Sequence, residues 1–251
     1  MNQLHTAVSL RLCYLLPSPT LGMHQYTADL ANRMAAVGHD VHLVTTTHYP
    51  AGRYSPDVTV HTPIATTNTG FSTESLNLSA IQNLQSAICN LQFDLVHLTG
   101  PHLWNPLLLR ALRRAGIPTL HTIHDLDPHS GAGYGRLLHL WNGLVLRWSD
   151  HVLVHGDIYR RRLLAQGYPA DRVTHTPLLH LFLGHDRQLA PYNSQFLIRT
   201  SQFATSMSSF VLFFGRLEAY KGVSTLLAAW SLLNRNPPFA IRHSLLLAGQ
   251  G

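Results

Sequence analysis

Charged side chains are scarce in this chain: only 12% of its 251 residues are Asp, Glu, Lys or Arg, where about a quarter is usual. Glutamate occurs only at Glu74 and Glu218, and lysine only at Lys221. The formal charge is still +6 with histidine neutral, and arginine carries almost all of it. Such a surplus favours anionic partners, among them nucleotide phosphates, lipid headgroups and nucleic acid. Nucleic acid is set aside, because the basic residues are not interleaved with aromatics and no nucleic-acid motif appears. Two cysteines, Cys13 and Cys89, cannot build a disulfide framework. Both are expected to be buried, reduced thiols of a cytoplasmic protein. No run approaches the ~18 apolar residues of a membrane span. Leu10 to Leu16 is interrupted by Arg11 and reads as a first strand, not a signal peptide. Metal-ligand spacings are missing as well, whether H-E-x-x-H or Cys/His pairs.

What the chain does have is alternation. Leu10–Leu16 predicts a strand, ended by Pro17-Ser18-Pro19-Thr20. Gly22 opens a helix with the stripe Tyr26, Leu30, Met34 and Val37, closed by Gly38. Val41–Thr45 is the next strand, so the chain starts as a βαβ unit. A short strand near Val58, a helix through Ile81, Leu84, Ile88 and Leu91, and a strand Asp94–Leu98 follow. Leu107–Ala115 is a helix and Thr119–Ile123 a strand that runs into His124-Asp125. Leu137, Leu138, Trp141, Leu144, Val145 and Trp148 mark a helix before the strand His151–His155. A short helix ending at Gly167 and a strand at Arg172–Thr176 complete the series. Alternation of this kind predicts an α/β, doubly wound parallel sheet. Periodicity fails from 181 to 207, which marks a linker between a domain at 1–180 and a second one at 208–251.

The second domain opens with Ser209-Phe210-Val211-Leu212-Phe213-Phe214-Gly215-Arg216. The apolar run predicts a strand buried on both faces. Gly215 ends it where backbone can approach a ligand. Arg216 and Lys221 follow, and a helix starts near Gly222 with Val223, Leu226, Leu227, Trp230 and Leu233 on one face. A strand end, two cations and a helix N-terminus suit a diphosphate. The alternative is a strand-to-helix turn carrying two solvated charges. It is not a P-loop, since the lysine precedes the glycine. One helix and two strands are too few to fold around their own core, so the chain reads as cut within this domain.

These pieces together resemble the retaining nucleotide-sugar glycosyltransferases of the large group-1 (family-4) class. The matching residues are Gly22 with Tyr26-Thr27-Ala28-Asp29, Gly38-His39-Asp40-Val41, Asp94-Leu95-Val96-His97, Gly116-Ile117-Pro118 and Thr122-Ile123-His124-Asp125. Ser149-Asp150-His151 through His155, Gly215-Arg216-Leu217 with Lys221-Gly222, and Ala248-Gly249-Gln250-Gly251 complete them. The resemblance implies a GT-B fold, two facing Rossmann-like domains with an NDP-sugar bound in the cleft. It implies neither cofactor nor metal. Arg216 and Lys221 match the cations on the donor diphosphate, and Gly215 their strand end. Gly22 matches the loop facing the donor phosphates, and His124 the active-site histidine. The sequence departs from the pattern where Leu21 and Met23 flank Gly22, and at His155-Gly156, where a serine is usual after the histidine. The carboxylate pair the family uses to hold the ribose and sugar has no counterpart in Glu74 and Glu218.

The chemistry implied is departure of a nucleoside diphosphate, its charge met by arginine, lysine and oriented N–H groups. Arg216, Lys221 and His124 are the catalytic candidates; His97, His124 and Asp125 are the candidates on the acceptor side, where a glycan, lipid or small molecule would bind. Each histidine is one of 18, so a structural role is the competing reading, and Asp125 also suits a turn cap. Arg110, Arg113 and Arg114, and separately Arg160-Arg161-Arg162, are either solvated helix faces or a peripheral contact to anionic lipid on the inner face of a membrane. Two other functions fit the same fold: a nucleotide-sugar epimerase, and a silent chain that binds a nucleotide-sugar or a partner protein.

Overall fold

The computed structural model describes residues 8–70, 73–127, 135–178, 210–215, 217, 221–235 and 244–249. The proposed linker at 181–207 and Arg216 lie outside them. The larger of two compact units is built from β1 (Arg11–Leu16), α1 (Leu21–Ala36), β2 (Asp40–Thr46), β3 (Val58–Ile64), α2 (Leu78–Asn90) and β4 (Leu95–Leu98). It continues with α3 (Asn105–Arg114), β5 (Thr119–Ile123), α4 (Gly135–Trp148), β6 (His151–Val154), α5 (Asp157–Ala165) and β7 (Val173–His175). All strand pairs are parallel, in the order β3-β2-β1-β4-β5-β6-β7. The order reverses between β1 and β4. In open parallel sheets that reversal is where ligands bind, beyond the carboxyl ends of the strands.

The sheet buries both faces, which explains the near-continuous apolar strands. On β1, Cys13 and Leu15 face one core with α2 and α3, while Leu12 and Tyr14 face another with Ala31 of α1. Helix α1 sits close to the sheet because small residues, Ala28 and Ala31, lie beneath it. Its buried face therefore runs through His24, Tyr26, Thr27, Ala28 and Ala31. Val37, expected on the stripe, is 70% exposed. Asn77 caps α2 by accepting from the Ala80 N–H at 3.1 Å. Cys13 is buried as expected, but Cys89 is exposed, since it follows the buried Ile88 on the helix and turns outward.

The second unit holds β8 (Phe210–Phe214), α6 (Val223–Asn234) and β9 (Ser244–Ala248). β8 and β9 pair in parallel, Phe210 opposite Ser244 and Phe214 opposite Ala248. The expectation that β8 is buried on both faces fails: Phe210, Val211, Leu212 and Phe214 are all exposed. Among the described residues β8 pairs with β9 alone, and two strands with one helix leave most of its surface uncovered.

Candidate active site

The carboxyl ends of β4, β5 and β6 bring a polar cluster together on the side of the sheet that carries α1. His97 Nε2 lies 2.8 Å from Thr122 Oγ1, and the Tyr26 hydroxyl from α1 reaches the same oxygen at 3.2 Å. Thr27 and Thr99 join hydroxyls at 2.7 Å. His124 Nε2 is 2.8 Å from the Thr99 carbonyl. A carbonyl only accepts, so this nitrogen carries the proton and Nδ1 keeps the lone pair of the neutral ring.

His155, just past β6, repeats the logic in the other sense. Its Nδ1 donates to the Thr176 carbonyl at 3.2 Å, which leaves the lone pair on Nε2. That atom is buried with no hydrogen-bond partner. The His124 and His155 ring centroids are 4.9 Å apart, and Tyr26 makes a T-shaped contact with each, at 5.0 and 5.2 Å. Burial pushes both imidazoles below their ordinary pKa, with the carbonyl bonds and the Asp125 carboxylate acting the other way. Burial drives His97 down to about 3, with added repulsion from His124 and His155. At neutral pH the cluster therefore carries no imidazolium. Acceptor nitrogens on neutral rings suit the hydroxyls of an uncharged ligand better than a phosphate.

Of the sequence candidates, His97, His124 and Asp125 meet here. Asp125 is exposed, and its backbone carbonyl accepts from Asn142 Nδ2 at 3.3 Å. Gly22 is the second residue of α1, not part of a loop ahead of it. No protein atom lies within 4 Å of the place its Cβ would take. The Thr20 hydroxyl pairs with Ser18 Oγ at 2.7 Å and gives α1 no side-chain cap. Among the described residues no acceptor reaches the N–H of Leu21 or Gly22. This end of α1 is thus open to an outside acceptor.

Gly215 and Lys221 belong to the second unit, and Arg216 is outside the described residues. The Gly215 N–H donates to the Ala248 carbonyl at 2.9 Å. Gly222, with φ +73°, starts α6 by accepting from the Leu226 N–H at 2.9 Å. A Cβ at Gly249 would stand 1.7 Å from the Gly215 carbonyl oxygen. At Gly215 itself a Cβ would meet nothing within 4 Å. Gly249→Ala should part the ends of β8 and β9 at a cost of about 3 kcal/mol to this unit. Faster hydrogen exchange at Val211 to Gly215, with β1 to β7 unchanged, is the expected result; unchanged exchange there would refute it.

Sequence reasoning missed Tyr26, Thr99, Thr122 and His155 as members of the cluster. Tyr26 looked like one more apolar stripe residue. In the sequence His155 is only the end of its strand and part of the family match; its place beside His124 comes from the register of β6 on β5, Ile123 opposite Val154. Among the described residues no three His, Cys, Asp or Glu side chains converge as a metal cage would need. No helix among them is long and apolar enough to cross a membrane.

A seven-stranded parallel sheet with flanking helices is the fold that this chain shares with GT-B glycosyltransferase and epimerase structures. The chain belongs to the glycosyl transferase 4-like domain family, which residues 22–178 match. The whole histidine cluster lies inside that range, whereas Gly215 to Lys221 lies beyond it. No curated protein sequence matches significantly. Among solved structures, HepE of Anabaena, in complex with UDP and glucose, superposes with a TM-score of 0.62 at 16% identity over 95% of this chain. The chain spans 60% of HepE's length. The UDP-GlcNAc 2-epimerase of Neisseria meningitidis, bound to UDP-GlcNAc, gives 0.61 at 14% identity, covering 96% of this chain and 72% of its own. The α,α-trehalose 6-phosphate synthase of Burkholderia multivorans also gives 0.61 at 14%, covering 96% and 64%. At such identities the likeness is one of fold.

Proposed function

We propose that this protein is a glycosyltransferase that moves a sugar from a UDP-sugar to a glycan, lipid or small-molecule acceptor, with retention and without a metal. The observation that carries the reading is the neutral cluster of Tyr26, His97, His124 and His155, placed at the strand ends of a chain from this family. His124 Nδ1 is the group we assign to a sugar hydroxyl. Gly22 and the open end of α1 face the donor phosphates. Arg216 and Lys221 meet the charge of the leaving diphosphate, and Gly215 lets them start at the strand end. UDP is the favoured nucleotide because the similar structures of HepE and the Neisseria epimerase hold UDP or a UDP-sugar.

We place the protein in the cytoplasm, with α3 as a peripheral contact to anionic lipid. Arg161 and Arg162 are each paired with a carboxylate, Asp157 and Asp127, which weakens the case for the second arginine cluster. Arg110 instead lies over the Trp148 ring at 5.8 Å, and Arg113 donates to the Arg147 carbonyl.

The epimerase reading stays in play because an epimerase superposes as well as the trehalose 6-phosphate synthase does. Product analysis separates them. The natural full-length protein, incubated with UDP-glucose or UDP-GlcNAc and a panel of acceptors in EDTA, should release UDP and form a glycoside of retained anomeric configuration. An intact nucleotide-sugar inverted at C2, or transfer that EDTA abolishes, would overturn the proposal.

A further inference from the structure

Thr99, the residue after β4, is fully buried, and its polar groups hold three different parts of the larger unit. Its N–H donates to the Leu15 carbonyl of β1 at 3.2 Å. Its carbonyl accepts from His124 Nε2 at 2.8 Å. Its hydroxyl meets Thr27 Oγ1 of α1 at 2.7 Å. The direction of that last bond follows from another partner. Thr27 Oγ1 lies 2.8 Å from the Met23 carbonyl, which only accepts, so the Thr27 proton is committed there. Thr99 is therefore the donor to Thr27.

Gly100 shows how closely the chain runs against this helix. A Cβ there would stand 2.6 Å from Leu16 Cδ1 and 3.2 Å from Met23 Cγ. The first turn of α1 and the end of β4 therefore lie in close contact. His124 depends on that arrangement. Among the described residues the Thr99 carbonyl is the only hydrogen-bond partner of its ring. That bond decides which nitrogen carries the proton and which keeps the lone pair. Tyr26 packs against the ring at 5.0 Å, but a T-shaped contact does not choose between the two nitrogens. Any residue at this position offers a carbonyl; the hydroxyl is what ties that carbonyl to α1.

We propose that Thr99 is a positioning residue for His124. By bonding α1 through its hydroxyl, it holds its carbonyl on the Nε2–H and so keeps Nδ1 as the acceptor offered to substrate. This deepens the glycosyltransferase reading and rests on it for the substrate, while the positioning itself can be read without turnover.

Thr99→Val keeps the shape and removes the hydroxyl, whereas Thr99→Ser keeps the hydroxyl. The first measurement is NMR of the full chain with nitrogen-labelled histidine, the His124 Nε2–H signal being assigned by its loss in His124→Ala. In wild type this proton should be protected from exchange with water. Thr99→Val should speed its exchange about tenfold, the scale of one lost hydrogen bond, and Thr99→Ser should restore most of the protection. The second measurement is transfer kinetics. Thr99→Val should lower kcat about three- to tenfold with donor KM within about twofold, and Thr99→Ser should recover it. A merely structural threonine would lower the melting temperature yet leave the exchange rate and the kcat per folded molecule as in wild type, and that result would overturn the proposal. So would Thr99→Ser behaving like Thr99→Val. If the valine variant does not fold, Thr27→Val removes the same tether from the α1 side and should speed the exchange equally; unchanged exchange there would overturn the proposal too. Faster exchange in Thr99→Val, with no transfer by wild type to any acceptor, would instead sink the transferase reading and keep the positioning role.

Discussion

Acidification from pH 7.5 to pH 5 should strip most of the stability from the seven-stranded unit. Burial holds His97 and His121 neutral, with pKa values of about 3 against an ordinary 6.5. It brings His24 and His102 to about 4. The unfolded chain protonates these rings near pH 6.5, while the folded chain refuses the proton until far lower pH. The stabilisation is therefore complete above 6.5 and is lost as pH falls from there towards 4 and then 3. Each such ring removes about 1.4 kcal/mol per pH unit in that window. By pH 5 one ring has cost about 2 kcal/mol, and even a fraction of the four together rivals the 5–15 kcal/mol typical of a domain. Melting followed by near-UV circular dichroism at pH 7.5, 6.5, 5.5 and 5 should show a fall that steepens below 6.5. A melting temperature constant across that range would show that these rings are solvated.

Much of this fold was legible because it is written locally. Strands such as Leu95–Leu98 and Thr119–Ile123 are short apolar runs with turn residues at both ends, and the positive φ of Gly38, Gly116 and Gly167 marks where helices stop. His97 and His124 were legible as strand ends. Other features depend on contacts that no local pattern encodes. His155 joins His124 only because β6 lies beside β5 with Ile123 opposite Val154. Asn142 sits amid a stripe of leucine and tryptophan, and only the path of the segment after β5 shows why a polar residue is buried there. Gly249 is required by the carbonyl of Gly215, thirty-four residues earlier. The exposure of β8 was missed because an apolar strand is buried only if enough neighbouring elements cover it, and its own sequence does not count them.

The kinetics of three substitutions should separate the two ends of the proposed reaction. Lys221→Ala and Arg216→Ala would each remove a cation assigned by the proposal to the diphosphate, whose charge grows as the sugar leaves. An interaction that strengthens towards the transition state appears in kcat. A hydrogen bond to a charged group contributes about 1.5–3 kcal/mol, so each change should lower kcat roughly 10- to 100-fold, with donor KM moving less than about threefold. Lys221→Arg should recover part of the loss, because it restores the charge. If both cations act on one diphosphate, the double variant should lose less than the product of the two single effects. His124→Ala should behave differently. Its Nε2–H bond to the Thr99 carbonyl ties the ends of β5 and β4 together, so its loss costs about 1 kcal/mol of stability. Its assigned task is to hold a sugar or acceptor hydroxyl through Nδ1, and transfer should fall by about tenfold or more. Slow hydrolysis of the donor without acceptor reads the diphosphate end alone. Lys221→Ala and Arg216→Ala should depress that hydrolysis as much as they depress transfer, whereas His124→Ala should affect transfer more strongly. Hydrolysis and transfer within twofold of wild type for both cation variants would remove Arg216 and Lys221 from the mechanism. A His124→Ala protein with a much lower melting temperature but normal transfer per folded molecule would mark that histidine as a core residue.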